Sequence, residues 1–195
     1  MGSASTPRQR SRVVARDARV VLRTPAAADE TEFLALRRAS WSFLAPWEPD
    51  LEGVDPLGPS MFRLYLRTGR RHARLRMLVC SRRSGAIRGS ITIGQIQRAK
   101  RSATVGYWIG ERFARRGWMS AALRLAIEDV CPRLGVRELC AYVLPENFAS
   151  KRLLAKLGFA RRGTAASYRV MRGEPRDHER WVITCPSRAG SGNPG

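Results

Sequence analysis

The stretch Val105-Gly106-Tyr107-Trp108-Ile109-Gly110, continued by Arg115-Arg116-Gly117-Trp118-Met119, decides the fold. Val, Tyr, Trp and Ile make the first piece a strand. Beyond it Met119, Ala122, Leu123, Ala126, Ile127 and Val130 recur at offsets of three and four, which gives a helix with one apolar stripe. A strand that feeds a glycine turn at a helix start leaves several backbone N–H groups pointing out of the helix, where a pyrophosphate can bind. Gly117 lets the chain turn close to such a phosphate with no side chain in the way. Pro132 and Gly135 end the helix.

Working outward, strands and helices alternate. Downstream, Val136 to Leu144 reads as a strand, and Asn147 caps a helix whose Leu153, Leu154 and Leu157 face inward, with Gly158 as its C-terminal cap. Phe159 to Met171 and Arg176 to Cys185 close as a hairpin around Arg172-Gly173-Glu174-Pro175. Upstream, Leu75 to Ser81, Ile87 to Gln97 and Ala103 to Gly110 read as an antiparallel meander, with Ile91, Ile93 and Gln95 on one face of the middle strand. Ala18 to Arg23 is a further strand. Thr24-Pro25 supplies an N-cap and first-turn proline for a helix through about Ala39, and Ser60 caps a second helix ending near Gly69. The order βααβββαβαββ fits a mixed α/β domain. We expect one domain over 18–185, a disordered basic arm at 1–17 and a disordered tail at 186–195.

The 195 residues hold 36 Lys and Arg against 16 Asp and Glu, a net charge of +20. Only Lys100, Lys151 and Lys156 are lysines. Such a charge concentrates polyanions such as RNA or ribosomes near the surface, although a codon bias toward arginine explains the composition equally well. No apolar run approaches the roughly 20 residues that span a bilayer, and Met1 to Arg16 lacks the apolar core of a secretory signal. A cytoplasmic protein with no membrane partner is therefore expected. Cys80, Cys131, Cys140 and Cys185 lie far apart, with only His72 and His178 as other soft ligands, so they read as reduced core residues and no metal is implied.

These segments, together with Leu44-Ala45-Pro46-Trp47-Glu48-Pro49 and Arg176-Asp177-His178, resemble the GNAT acetyltransferases, and within them the RimJ/RimL type that acetylates ribosomal-protein N-termini. The resemblance covers roughly 18 to 185. It implies a single-domain α/β (α+β) fold, with a mixed, largely antiparallel central sheet and helices on both faces. It also implies acetyl-CoA as co-substrate and a protein N-terminus, Ala or Ser first, as acceptor. The family's Q/R-x-x-G-x-G/A loop falls on Ala114 to Met119, with Ala114 and Met119 departing from the pattern. Arg115 and Arg116 pair with the coenzyme's phosphates or stay as solvated surface. The resemblance sets Trp108, Ile109 and Gly110 along the pantetheine arm and Gly117, Trp118 and Met119 at the diphosphate, although for Trp108 alone core packing is the commoner role.

Asn147 caps a helix on any reading, and the resemblance also turns it and Ser150 toward the thioester. Ser150 then donates a hydrogen bond to the departing thiolate, the family's usual Tyr position being Leu154. An α-amine with a pKa of about 7.7 to 8.0 needs little help from a base. Glu48 and Glu146 are the fallback bases. Trp41, Phe43, Trp47 and Tyr168 are able to line a peptide slot between the 40–49 loop and the final hairpin, with Trp47, Glu48 and Tyr168 as the acceptor-binding candidates. Two alternatives stay open. One is a small amine acceptor such as an aminoglycoside or polyamine; the other is a basic RNA-binding protein that has lost catalysis.

Overall fold

Period-two alternation through the middle of the chain builds an eight-stranded sheet, seen here in a computed structural model that describes residues 11–67 and 73–187. The strands are β1 Val13–Arg16, β2 Val20–Arg23, β3 Leu75–Ser81, β4 Ile87–Gln97, β5 Ser102–Ile109, β6 Glu138–Val143, β7 Ala160–Met171 and β8 Glu174–Thr184. Their spatial order is β1-β2-β3-β4-β5-β6-β8-β7. Every neighbouring pair is antiparallel except β5 and β6, which run parallel. The helices are α1 Glu30–Ala39, α2 Trp41–Leu44, α3 Pro59–Leu66, α4 Trp118–Leu125, α5 Cys131–Arg133 and α6 Phe148–Lys156.

The sheet separates two cores. On one face Ile91, Ile93, Val105, Leu139, Ala141 and Val143 meet Met119, Leu123 and Ile127 of the α4 stretch and Leu154 of α6. On the other, Leu78, Ile87 and Trp108 meet Phe33 and Leu36 of α1 and Phe62 and Tyr65 of α3. Each wholly buried side chain of this size contributes roughly 1.5–3 kcal/mol by leaving water. The expected class, a mixed and largely antiparallel sheet with helices on both faces, is the observed one.

Several boundaries differ from the sequence expectation. Val13 to Arg16, expected in a disordered arm, pairs with β2. The cause is Asp17, whose carboxylate accepts the N–H groups of Arg19 and Val20 and closes a tight turn. The rest of the expected arm, residues 1–10, lies outside the described residues, as do His72, Gly69 and residues 188–195 of the expected tail. Thr24 does not cap α1; its hydroxyl accepts the Arg12 N–H, and Asp29 instead accepts the Ala26 N–H while gripping Arg23 through both oxygens. Gly58 and Pro59 start α3, and the Ser60 hydroxyl bonds to the main chain of Asp55. The α4 stripe runs on through a π turn at Ala126–Val130. Pro132 has no N–H to return to Glu128, and its ring displaces that carbonyl, so the wider turn forms there.

Two signals read from the sequence hold at α6. The Asn147 side chain accepts the Ser150 N–H at 3.0 Å. At the other end Gly158, φ +89, donates to Ala155 while Phe159 donates to Leu154, the paired bonds that satisfy the last carbonyls of a helix. All four cysteines are buried, and the Cys131 and Cys185 thiols contact each other beneath the end of β8.

Candidate active site

The parallel pair β5/β6 is joined at only three positions, Ser102–Glu138, Ala103–Leu139 and Thr104–Cys140, and then the strands part. β5 runs on to Ile109 with β4 along one edge only. Gly110 donates to Arg88 of β4, and main-chain groups alternate sides along a strand. Trp108 and Gly110 therefore point their amides at β4, whereas those of Tyr107 and Ile109 face the gap. Such an edge can pair with an extended, amide-bearing ligand.

Side chains alternate as well, so the gap joins two unlike surfaces. Tyr107 lies on the α4/α6 face, where its hydroxyl meets Ser150 Oγ at 2.6 Å. Burial pushes the Tyr107 hydroxyl up to about 12. On the opposite face Tyr142 of β6 stacks on Tyr168 of β7, with ring centroids 3.9 Å apart, and His178 of β8 meets Tyr168 edge-on at 5.3 Å. His178 Nδ1 lies 3.0 Å from the Arg176 carbonyl, which can only accept, so Nδ1 carries the proton. Burial first, and then the charges of Arg169 and Arg176, lower the His178 pKa and keep the ring neutral.

At the end of β5 the chain passes through Arg115, φ +58, and Gly117, φ +79, into α4. The first helical bond runs from Ala121 N–H to the Gly117 carbonyl. The N–H groups of Trp118, Met119 and Ser120 thus lack a helical acceptor. Arg19, from the β1–β2 turn, stacks on the Trp118 ring at 4.2 Å, and a Cβ added at Gly117 would lie 3.4 Å from its guanidinium. Arg88 covers Phe113 at 4.1 Å and Trp118 at 5.4 Å. Arg115 and Arg116 are exposed. A backbone turn rich in free amides and ringed by guanidinium groups suits a polyphosphate.

The structure redistributes several of the residues singled out from sequence. The Trp108 side chain is in the α1/α3 core, its indole N–H donating to Tyr65 at 2.9 Å, so it does not line the gap. Gly110 is needed because a Cβ there would strike Leu36 of α1. Met119 is buried under the sheet. Asn147 spends its side-chain oxygen on the Ser150 amide, which leaves Ser150 as the hydroxyl at the gap. Glu48 is paired with the buried Arg37 at 3.0 Å, and Arg37 Nε also donates to the Pro56 carbonyl, so Glu48 anchors its own loop. Glu146 bonds Arg176 at 2.5 Å; its own backbone and that guanidinium hold its carboxyl below the usual range, a poor base. Trp47 is partly exposed, and the neighbouring Asp50 accepts the Gly173 N–H of the hairpin tip and donates its own to Val170. The 40–49 loop and the final hairpin are thereby joined. A cavity of about 320 Å³ between them is lined by Trp41, Glu48, Leu51, Met61 and Arg172. Tyr107 and Arg19 were not singled out. Strand parity separates Tyr107 from Trp108, but only the fold says which face looks onto Ser150.

Residues 19–160 match the family described as the acetyltransferase (GNAT) domain. The chain belongs to the GNAT acetyltransferases. The gap between β5 and β6 is an unpaired strand edge within this GNAT domain. A solved structure of Mycobacterium smegmatis RimJ in complex with CoA-disulfide is similar, with 30% identity and a TM-score of 0.75, covering 85% of this chain and 81% of that one. The ribosomal-protein-S5-alanine acetyltransferase of Vibrio fischeri shares the fold at 23% identity and a TM-score of 0.75, covering 88% of this chain and 97% of that one. The [ribosomal protein uS5]-alanine N-acetyltransferase of Escherichia coli is 35% identical over 82 residues, a stretch that spans 42% of each protein. Among the described residues no cluster suited to a metal ion is present, and no helix is long and apolar enough to cross a membrane.

Proposed function

We propose that this GNAT enzyme transfers the acetyl group of acetyl-CoA to the α-amine of a peptide N-terminus, that of a ribosomal protein beginning with Ala or Ser. The observation that carries the reading is the opened β5/β6 pair with Ser150 at the gap. Tyr107 and Ile109 offer main-chain groups along which the pantetheine arm pairs, and the amides before Ala121, with Arg19, Arg115 and Arg116, hold the diphosphate. Bound there, acetyl-CoA supplies an activated thioester. A backbone N–H near the end of β5 polarises the acetyl carbonyl, and the Ser150 hydroxyl faces the sulfur. The neutral amine attacks directly and gives its proton to water. Neither Glu48 nor Glu146 is free to act as base, and an α-amine already about a tenth neutral near pH 7 needs none.

The acceptor side supports a peptide over a polycation. Of the acids near that loop, Glu48 is paired with Arg37, Asp50 accepts the Gly173 amide and Asp55 the Leu57 amide, and Glu52 is exposed. A polyamine or aminoglycoside would find little free negative charge there, and the aromatic Tyr142–Tyr168–His178 surface is flanked by Arg169 and Arg176, whose charge repels a polycation. The basic surface would raise the enzyme's concentration near rRNA. Mass spectrometry of ribosomal-protein N-termini from cells with and without the gene tests the assignment. We expect one or a few Ala- or Ser-starting termini to lose acetylation, and an unchanged set would contradict it.

A further inference from the structure

We propose that Tyr107 is a positioning residue for acetyl transfer: its hydroxyl donates to Ser150 Oγ and so aims the Ser150 proton across the β5/β6 gap at the sulfur of the acyl donor. This rests on the reading of Ser150 given above and adds the group that controls it. The two oxygens are 2.6 Å apart and belong to residues on different elements, β5 and α6, that border the gap.

One hydroxyl must donate and the other accept. A serine hydroxyl at this position, left alone, can rotate its proton onto the carbonyl three or four residues back, that of Asn147 or Glu146, where it is lost to catalysis. Tyr107 opposes this by occupying an acceptor lone pair of Ser150, which turns the Ser150 hydrogen away from Tyr107 and biases it toward the gap. The direction follows from acidity, because a phenol is a better donor and a poorer acceptor than an aliphatic alcohol. Burial reinforces the assignment, since a hydroxyl pushed up to about 12 keeps its proton at any working pH. The Ser150 main chain is held by Asn147, and the Tyr107 bond restricts the rotation of the hydroxyl by taking one of its lone-pair positions. A hydroxyl that accepts a bond is also polarised into a stronger donor.

The step balances without proton transfer from either hydroxyl. The C–N bond forms and the C–S bond breaks, the electron pair goes to sulfur, and the amine proton goes to water. A thiol of pKa about 8.5 is far more acidic than either alcohol or phenol here, so the thiolate leaves hydrogen-bonded to Ser150 rather than protonated by it. Tyr107 acts only through Ser150.

Tyr107→Phe tests this, since the ring packs in the α4/α6 core and only the hydroxyl is removed. We expect kcat to fall about tenfold with the calorimetric affinity for acetyl-CoA unchanged. Activity is not the only readout. The thiol of bound coenzyme A, titrated through its thiolate ultraviolet absorbance, should have a pKa below that of free coenzyme A in the native enzyme, and Tyr107→Phe should raise it by about half a unit. In a Ser150→Ala background, Tyr107→Phe should add nothing further. Unchanged kcat and thiol pKa in Tyr107→Phe, or an additive loss in the double variant, would overturn the positioning role while leaving Ser150 in place. Full kcat in Ser150→Ala would remove Ser150 itself, and this inference with it.

Discussion

Arg37 holds a permanent positive charge with about 1% of its side chain exposed, between the Trp108 ring at 5.2 Å and the Glu48 carboxylate at 3.0 Å. A charge buried in this way is tolerable only while its partner remains. Glu48→Gln should therefore destabilise the fold by about 3 kcal/mol, and thermal unfolding should show a clear drop. The peptide KM should move far less, because the carboxylate holds its loop to α1 rather than binding the acceptor. A stable Glu48→Gln protein with a sharply raised KM would return Glu48 to the acceptor site. Gly117 is the other residue whose conformation matters, at φ +79 between Arg19 and α4. Gly117→Val puts a β-branched side chain in the left-handed region, which costs on the order of 1–3 kcal/mol and tilts the amides that open α4. Acetyl-CoA affinity should fall about tenfold or more by calorimetry, while S-acetylpantetheine, which lacks the diphosphate, should be turned over nearly as before. Equal losses for both donors would place the phosphates elsewhere.

Among the elements, β5 is an interior strand that keeps β4 along one edge to Ile109 but loses β6 beyond Thr104, which leaves its other edge open. The Trp108 amide should resist hydrogen exchange in the free enzyme through its bond to β4, while those of Tyr107 and Ile109 exchange freely and become protected when acetyl-CoA is added. Equal protection of all three without ligand would mean that β5 and β6 do not part. Much of this element was readable from residue types. β3 follows from its apolar run and β4 from the alternation at Ile91 and Ile93, and Asn147 and Gly158 mark α6 because capping chemistry is local. Other features depend on contacts distant in sequence. Tyr107 and Ser150 are 43 residues apart, and nothing in either segment shows that α6 returns over β5. Trp108 has the residue type and place of a ligand-lining group, but its face was decided by Phe33 and Tyr65, which arrive on α1 and α3. The β1–β2 hairpin hid in a stretch of low periodicity because a single side chain, Asp17, makes its turn.

For the molecule as a whole, charge and pH act on different parts. The net charge of +20 predicts that added salt releases the enzyme from ribosomes, since phosphate contacts are lost with counterion uptake, and co-sedimentation across a salt series measures it. Turnover of a short peptide should respond much less. His178 adds a pH dependence to stability. Its folded pKa lies below the ordinary value of about 6.5, so the unfolded chain takes the proton first. Its contribution is complete above about pH 6.5 and is lost as pH falls through the lower folded value. The melting temperature should thus decline below pH 6.5, and His178→Phe should flatten that decline. Tyr107, by contrast, gives no alkaline limb to the rate up to about pH 10, and kcat/KM should level off above about pH 8 to 9, once the substrate α-amine is neutral. The central claim concerns the amine that is acetylated, and a competition at equal concentration tests it most directly. Peptides with a free Ala or Ser terminus should show higher kcat/KM than their N-terminally blocked forms carrying internal lysine, and than spermidine or an aminoglycoside. A blocked, lysine-bearing peptide or a small polyamine that reacts faster than every free N-terminus would contradict the assignment.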